Sequence, residues 1–158
     1  MNGFQSKIWG PCAWFFLHTI TLNFIPKKHN ESGYINFFKS LEYVLPCGTC
    51  RTNYAEIIRS GELKLTSKIL TSRDTLVHWL FTVHNLINTR TGKKLTYSDD
   101  LKGLESMKQF YEQFRARCDD VKKEIGCTKA LYKDKQYRCI LLMKPATSKC
   151  KTVKICKR

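Results

Sequence analysis

No stretch of this chain is long and apolar enough to cross a bilayer. The densest apolar patch, Ala13 to Leu17, is cut by His18, far short of the roughly 18 residues a span needs. The opening residues, Met-Asn-Gly-Phe-Gln-Ser-Lys, have neither the charged start nor the apolar core of a secretory leader. A soluble protein not exported by that route is therefore expected. There is no internal repeat. No long alternating strand pattern appears through residue 118, and acidic residues are scarce, 13 Asp+Glu against 28 Lys+Arg.

What is present fits one globular domain. At 158 residues, 42% hydrophobic and 12% aromatic, the chain can bury a single core but not two independent ones. The net charge of +15 invites a nucleic-acid reading. Its distribution is uneven, however: residues 1–117 hold 16 Lys+Arg against 9 Asp+Glu, and residues 118–158 hold 12 against 4. The excess sits in a tail, which reads as a solvated basic extension or as a contact for nucleic acid, acidic partners or a membrane surface. The expected division is a helical domain over 1–118 and a basic, Cys-rich extension over 119–158.

The coarse pattern of the first part is helical. Ile8 to Leu22 forms one apolar segment, with Pro11 placed to serve a first turn and side chains dense enough for burial on most sides. Tyr34 to Leu45 carries Ile35, Phe37, Phe38, Leu41, Val44 and Leu45 at helical spacing. Pro46 breaks that helix, and another restarts at Cys47 and runs to Gly61. Ser72 suits an N-cap, with Asp74 in the first turn, for a helix to Arg90 that Thr91-Gly92 stops. Ser98 with Asp99 and Asp100 opens a last helix striped by Leu101, Leu104, Met107, Phe110, Tyr111 and Phe114. In the tail, Cys139 to Met143 reads as a short strand.

Eight cysteines without a leader suggest metal or redox chemistry more than structural bridges. Cys47-Gly48-Thr49-Cys50 brings two sulfurs within less than one helical turn, close enough to bridge. A first cysteine at a helix start lies near unpaired amides and the positive end of the dipole, which lowers its pKa. One thiol can then exchange with a substrate disulfide or dithiol while the other resolves the intermediate. The competing readings are a structural pair and half of a zinc site. Zinc needs two further ligands, and neither a second Cys-x-x-Cys nor a close Cys/His pair exists. Cys127, Cys139, Cys150 and Cys156 in the tail fit no standard zinc spacing. A basic Cys-rich module binding zinc or nucleic acid is nevertheless the alternative function.

Two helices carry polar groups among apolar neighbours. Trp14 and His18 share one face of the first, and His84 and Asn88 share one face of the fourth, with Asn85 beside them and Trp79 a turn earlier. Buried imidazoles and carboxamides need partners, so a satisfied core network is one reading. The wall of a site for a flat, hydrogen-bonding heterocycle is the other, with Lys93 or Lys94 available for a phosphate. A papain-like Cys–His nucleophile has nothing to place an imidazole beside either thiol.

Taken together, three motifs resemble the Erv/ALR family of FAD-linked sulfhydryl oxidases. Residues 9–18, Trp-Gly-Pro-Cys-Ala-Trp-Phe-Phe-Leu-His, are similar to the family's Trp-Gly…Trp…Leu-His helix. Pro46 to Cys50 is similar to its redox motif, and Trp79 to Asn88 followed by Gly92-Lys93 is similar to Trp…His-Asn-x-Val-Asn…Gly-Lys. The resemblance implies an all-α four-helix bundle with a short fifth helix, usually a homodimer. It implies FAD held by Gly10, Pro11, Trp14, His18, His84, Asn85, Asn88 and Lys93, Cys50 as the flavin-proximal sulfur, and Cys47 as the sulfur that meets the donor. It implies oxidation of two thiols by oxygen to a disulfide and hydrogen peroxide. The donor would be a protein dithiol, thioredoxin-like or a virion protein; no metal is implied. Leu45 stands where the family often has an aromatic residue, Cys12 is an unexpected thiol, and the C-terminal Cys pair of cellular members is absent. The short core with its own tail is similar to members of large DNA viruses, implying the host cytoplasm or virion, whereas a cellular member would sit in the mitochondrial intermembrane space.

Overall fold

The computed structural model describes residues 3–117 and, beyond them, the backbone of three short strands. Helix α1 spans Ser6–Leu22, α2 Lys28–Val44, α3 Gly48–Arg59, α4 Arg73–Arg90 and α5 Leu101–Glu112, with a 3-10 turn at Ser67–Leu70. The chain divides into two compact units, Met1–Leu104 and Glu105–Arg158. The first holds a helical bundle, in which α1 packs chiefly on α4 and α2 on α3. In the second, β1 (Ala116–Arg117) pairs antiparallel with β2 (Lys129–Ala130), and β3 (Tyr137–Leu141) with β4 (Val153–Lys157). The tail strand thus begins two residues before Cys139. Cys118, Cys127 and Cys150 lie outside the described residues, as do the side chains of Cys139 and Cys156. No helix among the described residues is long and apolar enough to cross a membrane.

The bundle core is apolar and interlocked. Phe38 of α2 is fully buried and meets Trp79 of α4 edge to face, centroids 5.1 Å apart, the arrangement favoured by ring quadrupoles. Leu17, Tyr54, Ile57, Leu76, Leu80 and Val83 close the same cluster. Polar tips inside it find backbone partners: the Tyr54 hydroxyl donates to the Phe38 carbonyl at 2.9 Å, and the Trp79 indole N–H to the Leu63 carbonyl at 2.9 Å. These bonds tie α3 to α2, and α4 to the loop after α3, so the cost of burying those polar atoms is offset.

Helix boundaries follow local chemistry. Ser72 caps α4 with a reciprocal box: its hydroxyl accepts from the Thr75 amide, and Thr75 Oγ1 accepts from the Ser72 amide. Three expectations need correction. Helix α1 begins two residues earlier, putting Pro11 in its second turn, and its outer face is not buried, with Phe16 57% exposed. Helix α2 begins at Lys28 rather than Tyr34; Glu31 supports its first turn and the Asn30 amide donates to the Ile25 carbonyl at 3.0 Å. Of the three residues expected to open α5, Asp100 is the cap: its carboxylate accepts from the Gly103 amide at 2.6 Å and the Ser98 hydroxyl at 2.7 Å. Leu101, first in the expected apolar stripe, is exposed.

The tight cap makes opposite demands on two glycines. A Cβ at Gly103 would collide with the Ser98 backbone, whereas one at Gly33, on the exposed face of α2, would meet nothing. Gly103→Ala is expected to lower stability by about 1–3 kcal/mol, and Gly33→Ala to raise it by about 0.5–1 kcal/mol. Urea unfolding of both variants checks this; equal shifts in the same direction would contradict the cap geometry.

Candidate active site

Pro46 sets the position of everything in the site. Because it disfavours helical angles at Leu45, α2 ends at Val44 and Leu45 turns extended, at φ −55° and ψ 131°. Cys47, itself extended, becomes the N-cap of α3, and its Sγ accepts from the Cys50 amide at 3.2 Å. Cys50 is the third residue of that helix, and the two cysteines are joined as a disulfide with Cα atoms 5.1 Å apart. An N-cap sulfur bonded to an otherwise unpaired first-turn amide has the environment that stabilises a thiolate on reduction.

The N-terminal residues hold the same turn from outside. The Phe4 amide donates to the Pro46 carbonyl at 2.6 Å, and Gly3 pairs with Cys47 in an isolated antiparallel bridge. Gly3 has φ +76°, and a Cβ there would run into the Pro46 carbonyl, so only glycine lets the segment lie so close.

The disulfide forms one end of a cavity of about 220 Å³. Helix α1 supplies Trp9, Gly10, Ala13, Trp14 and Leu17; α2 supplies Leu41 and the residue after it, Leu45. From α3 and its cap come Cys47, Thr49, Cys50, Asn53 and Tyr54, and from the end of α4 come Ile87, Thr91 and Lys93. Gly92, at φ +65°, turns the chain after α4, and the Lys93 amide donates to the Asn88 carbonyl at 2.8 Å. That left-handed turn places Lys93 at the cavity.

Of the expected cofactor residues, Gly10, Trp14 and Lys93 line the cavity and Pro11 is exposed. The histidines stand behind Trp14. Its indole stacks on His84 with centroids 3.9 Å apart and planes 12° from parallel, and His84 Nδ1 lies 3.0 Å from His18 Nε2. Asn85 donates its amide to Asp99 at 2.9 Å, fixing the loop before α5 to α4, and Asn88 is buried at the end of that helix. Asn53 and Tyr54 were not foreseen, although they fall three and four residues after Cys50 and so on its face of α3. Thr91 was read only as part of a helix stop, and Leu41 only as core.

The chemistry of this lining suits a flavin. Two indoles and aliphatic side chains offer flat apolar walls, Thr49, Asn53 and Thr91 offer hydrogen bonds to ring heteroatoms, Lys93 offers a cation for a phosphate, and the disulfide is the electron-bearing end. Among the described residues no three His, Cys, Asp or Glu side chains gather as a metal site.

Burial decides the state of the imidazoles. It pushes His18 down to about 4, and burial, with His18 and then Lys93 adding repulsion, pushes His84 down to about 3. Both are neutral in the fold, so one ring N–H can donate to its neighbour. Their folded pKa values lie below the unfolded 6.5, so stability is complete above pH 6.5 and falls as acid protonates the unfolded chain. Between pH 6.5 and 5 the loss steepens toward about 1.4 kcal/mol per pH unit for each ring. A His18→Leu/His84→Leu protein is expected to show a flatter unfolding-midpoint profile in that window; an unchanged slope would contradict the assignment.

Comparison with known proteins gives a consistent picture. The model of the Erv1 / Alr family matches residues 11–115. A probable FAD-linked sulfhydryl oxidase of Acanthamoeba polyphaga mimivirus is 41% identical over 100 residues, covering 61% of this chain and 68% of that protein. A putative FAD-linked sulfhydryl oxidase of invertebrate iridescent virus 3 is 28% identical over 91 residues, 56% of this chain and 60% of its own length. The mitochondrial FAD-linked sulfhydryl oxidase of Schizosaccharomyces pombe is 32% identical over 91 residues, 54% of this chain and 47% of its own. The matches span about half to two-thirds of these relatives.

Proposed function

The chain belongs to the Erv1 / Alr family, and on that premise we propose that it is a FAD-dependent thiol oxidase that forms disulfides in protein substrates with oxygen as acceptor. The observation that carries this reading is the Cys47–Cys50 disulfide at the tip of α3, lining one cavity with two indoles and Lys93.

The protein's part begins with thiol–disulfide exchange. A substrate thiolate attacks Cys47 Sγ, the Cys47–Cys50 bond breaks, and Cys50 departs as a thiolate. A second substrate thiolate attacks the substrate sulfur of the mixed disulfide and releases Cys47, leaving the substrate oxidised and the pair reduced by two electrons. Cys50, inside the first turn of α3, passes those electrons on, and Cys47 at the cap is the exchange sulfur. When bound, FAD supplies two-electron acceptance from the dithiol and their transfer to oxygen as hydrogen peroxide. Trp14 and Gly10 give that group its wall, and Lys93 a charge for its phosphates. His18 and His84 hold Trp14 at a fixed angle without carrying charge, which keeps this side of the site apolar. Pro11 lies in the second turn of α1, Asn85 ties α4 to the loop before α5, and the Asn88 carbonyl holds the Lys93 amide.

The donor in this reading is a protein dithiol, and the assembly a homodimer. Similarity to viral relatives supports a virion-protein donor in a host cytoplasm or virion, and the basic charge of residues 119–158 supports a nucleic-acid contact there.

Purified protein is expected to be yellow and to consume oxygen when given dithiothreitol. Cys47→Ser is expected to lose at least about 100-fold of that oxygen uptake while retaining its colour. A colourless wild-type protein, or a Cys47→Ser protein with undiminished uptake, would refute the reading.

A further inference from the structure

Arg51 follows the second cysteine directly and belongs to none of the motifs discussed so far. Its Nη1 donates to the Leu45 carbonyl at 2.7 Å. That carbonyl also accepts from the Cys47 amide at 2.8 Å, and the Arg51 amide donates to the Cys47 carbonyl at 3.0 Å. The side chain therefore reaches back across the whole redox motif. Its second terminal nitrogen passes beside Gly48, where an added Cβ would lie 3.9 Å away. It is half-buried, does not line the cavity, and joins no ion pair among the described residues.

We propose that Arg51 is a positioning residue of the dithiol: it clamps the turn that presents Cys47 and sets a fixed positive charge beside that sulfur in the reduced pair. The proposal rests on the oxidase reading for its purpose. In the exchange above, the bond between the substrate sulfur and Cys47 breaks as the substrate disulfide forms, and the electron pair leaves on Cys47. A guanidinium and the Cys50 amide at this position both stabilise that leaving thiolate. A five-donor planar cation suits the task, because one nitrogen can hold the Leu45 carbonyl while the charge extends over Gly48.

Lys93 shares the cavity with both sulfurs from the end of α4. Glu42 at the end of α2 is held by Arg59 at 2.9 Å, Glu56 of α3 lies 3.4 Å from Arg90, and the strap of residues 3–5 carries no charge. Lys7 follows that strap at the start of α1.

The test is the pH dependence of iodoacetamide alkylation at Cys47 in the full chain carrying Cys50→Ser, read by mass spectrometry of the Cys47 peptide. Adding Arg51→Gln is expected to raise the alkylation midpoint by about one pH unit, and adding Arg51→Lys to retain most of the parent value. An unchanged midpoint in Arg51→Gln overturns the proposal; so does an equal rise in both variants, which would make the clamp alone responsible. Alkylation needs neither cofactor nor turnover. The expected midpoints together with a wild-type protein that takes up no oxygen would sink the oxidase reading and leave the role of Arg51 standing.

Discussion

The turn Leu45-Pro46-Cys47 is the constraint on which the site depends. Proline ends α2, and the extended angles it imposes leave Cys47 as a cap rather than a helical residue. A cap sulfur faces unpaired amides; the same cysteine one turn further in would face a filled hydrogen-bond ladder and lose that advantage. The turn is then secured by groups from three directions: the strap at Gly3 and Phe4, the Cys50 amide, and the Arg51 guanidinium. A redox centre held this firmly pays little reorganisation on each change of state.

Behind the cavity, the packing follows a different logic. His18 and His84 are buried polar rings in an apolar bundle, an arrangement that is costly unless they bond each other. Their contact fixes the separation of α1 and α4, and Trp14 stacks on the result. The buried polar contact thus backs the indole that forms one wall of the cavity.

Much of this was legible in the chain because the relevant signals are local and chemical. Pro46 predicted the break before the dithiol through its backbone restriction, Ser72 the start of α4 through its capping hydroxyl, and Gly92 its end through its tolerance of positive φ. The start of α2 was not legible, since residues 28–33 carry no apolar side chain and the helix there rests on Glu31 and the Asn30 side chain. Asp100 was read with Ser98 and Asp99 as the opening of α5; only its bond to the Gly103 amide singles it out as the cap. Pairing Trp14 with His18 along one helix was correct in spacing, but which residue faces the cavity and which lies behind it depends on α4. Arg51 carried no signal at all, because a basic residue in a basic chain reads as solvated surface until its hydrogen bond is seen.

The central claim is that Cys50 connects the exchange sulfur to a flavin in this cavity. Anaerobic addition of dithiothreitol, followed through the flavin absorbance band, tests it most directly. Bleaching in the wild-type protein together with a persistent band in Cys50→Ser is the result the account predicts; a Cys50→Ser protein that bleaches as fast as wild type would contradict it.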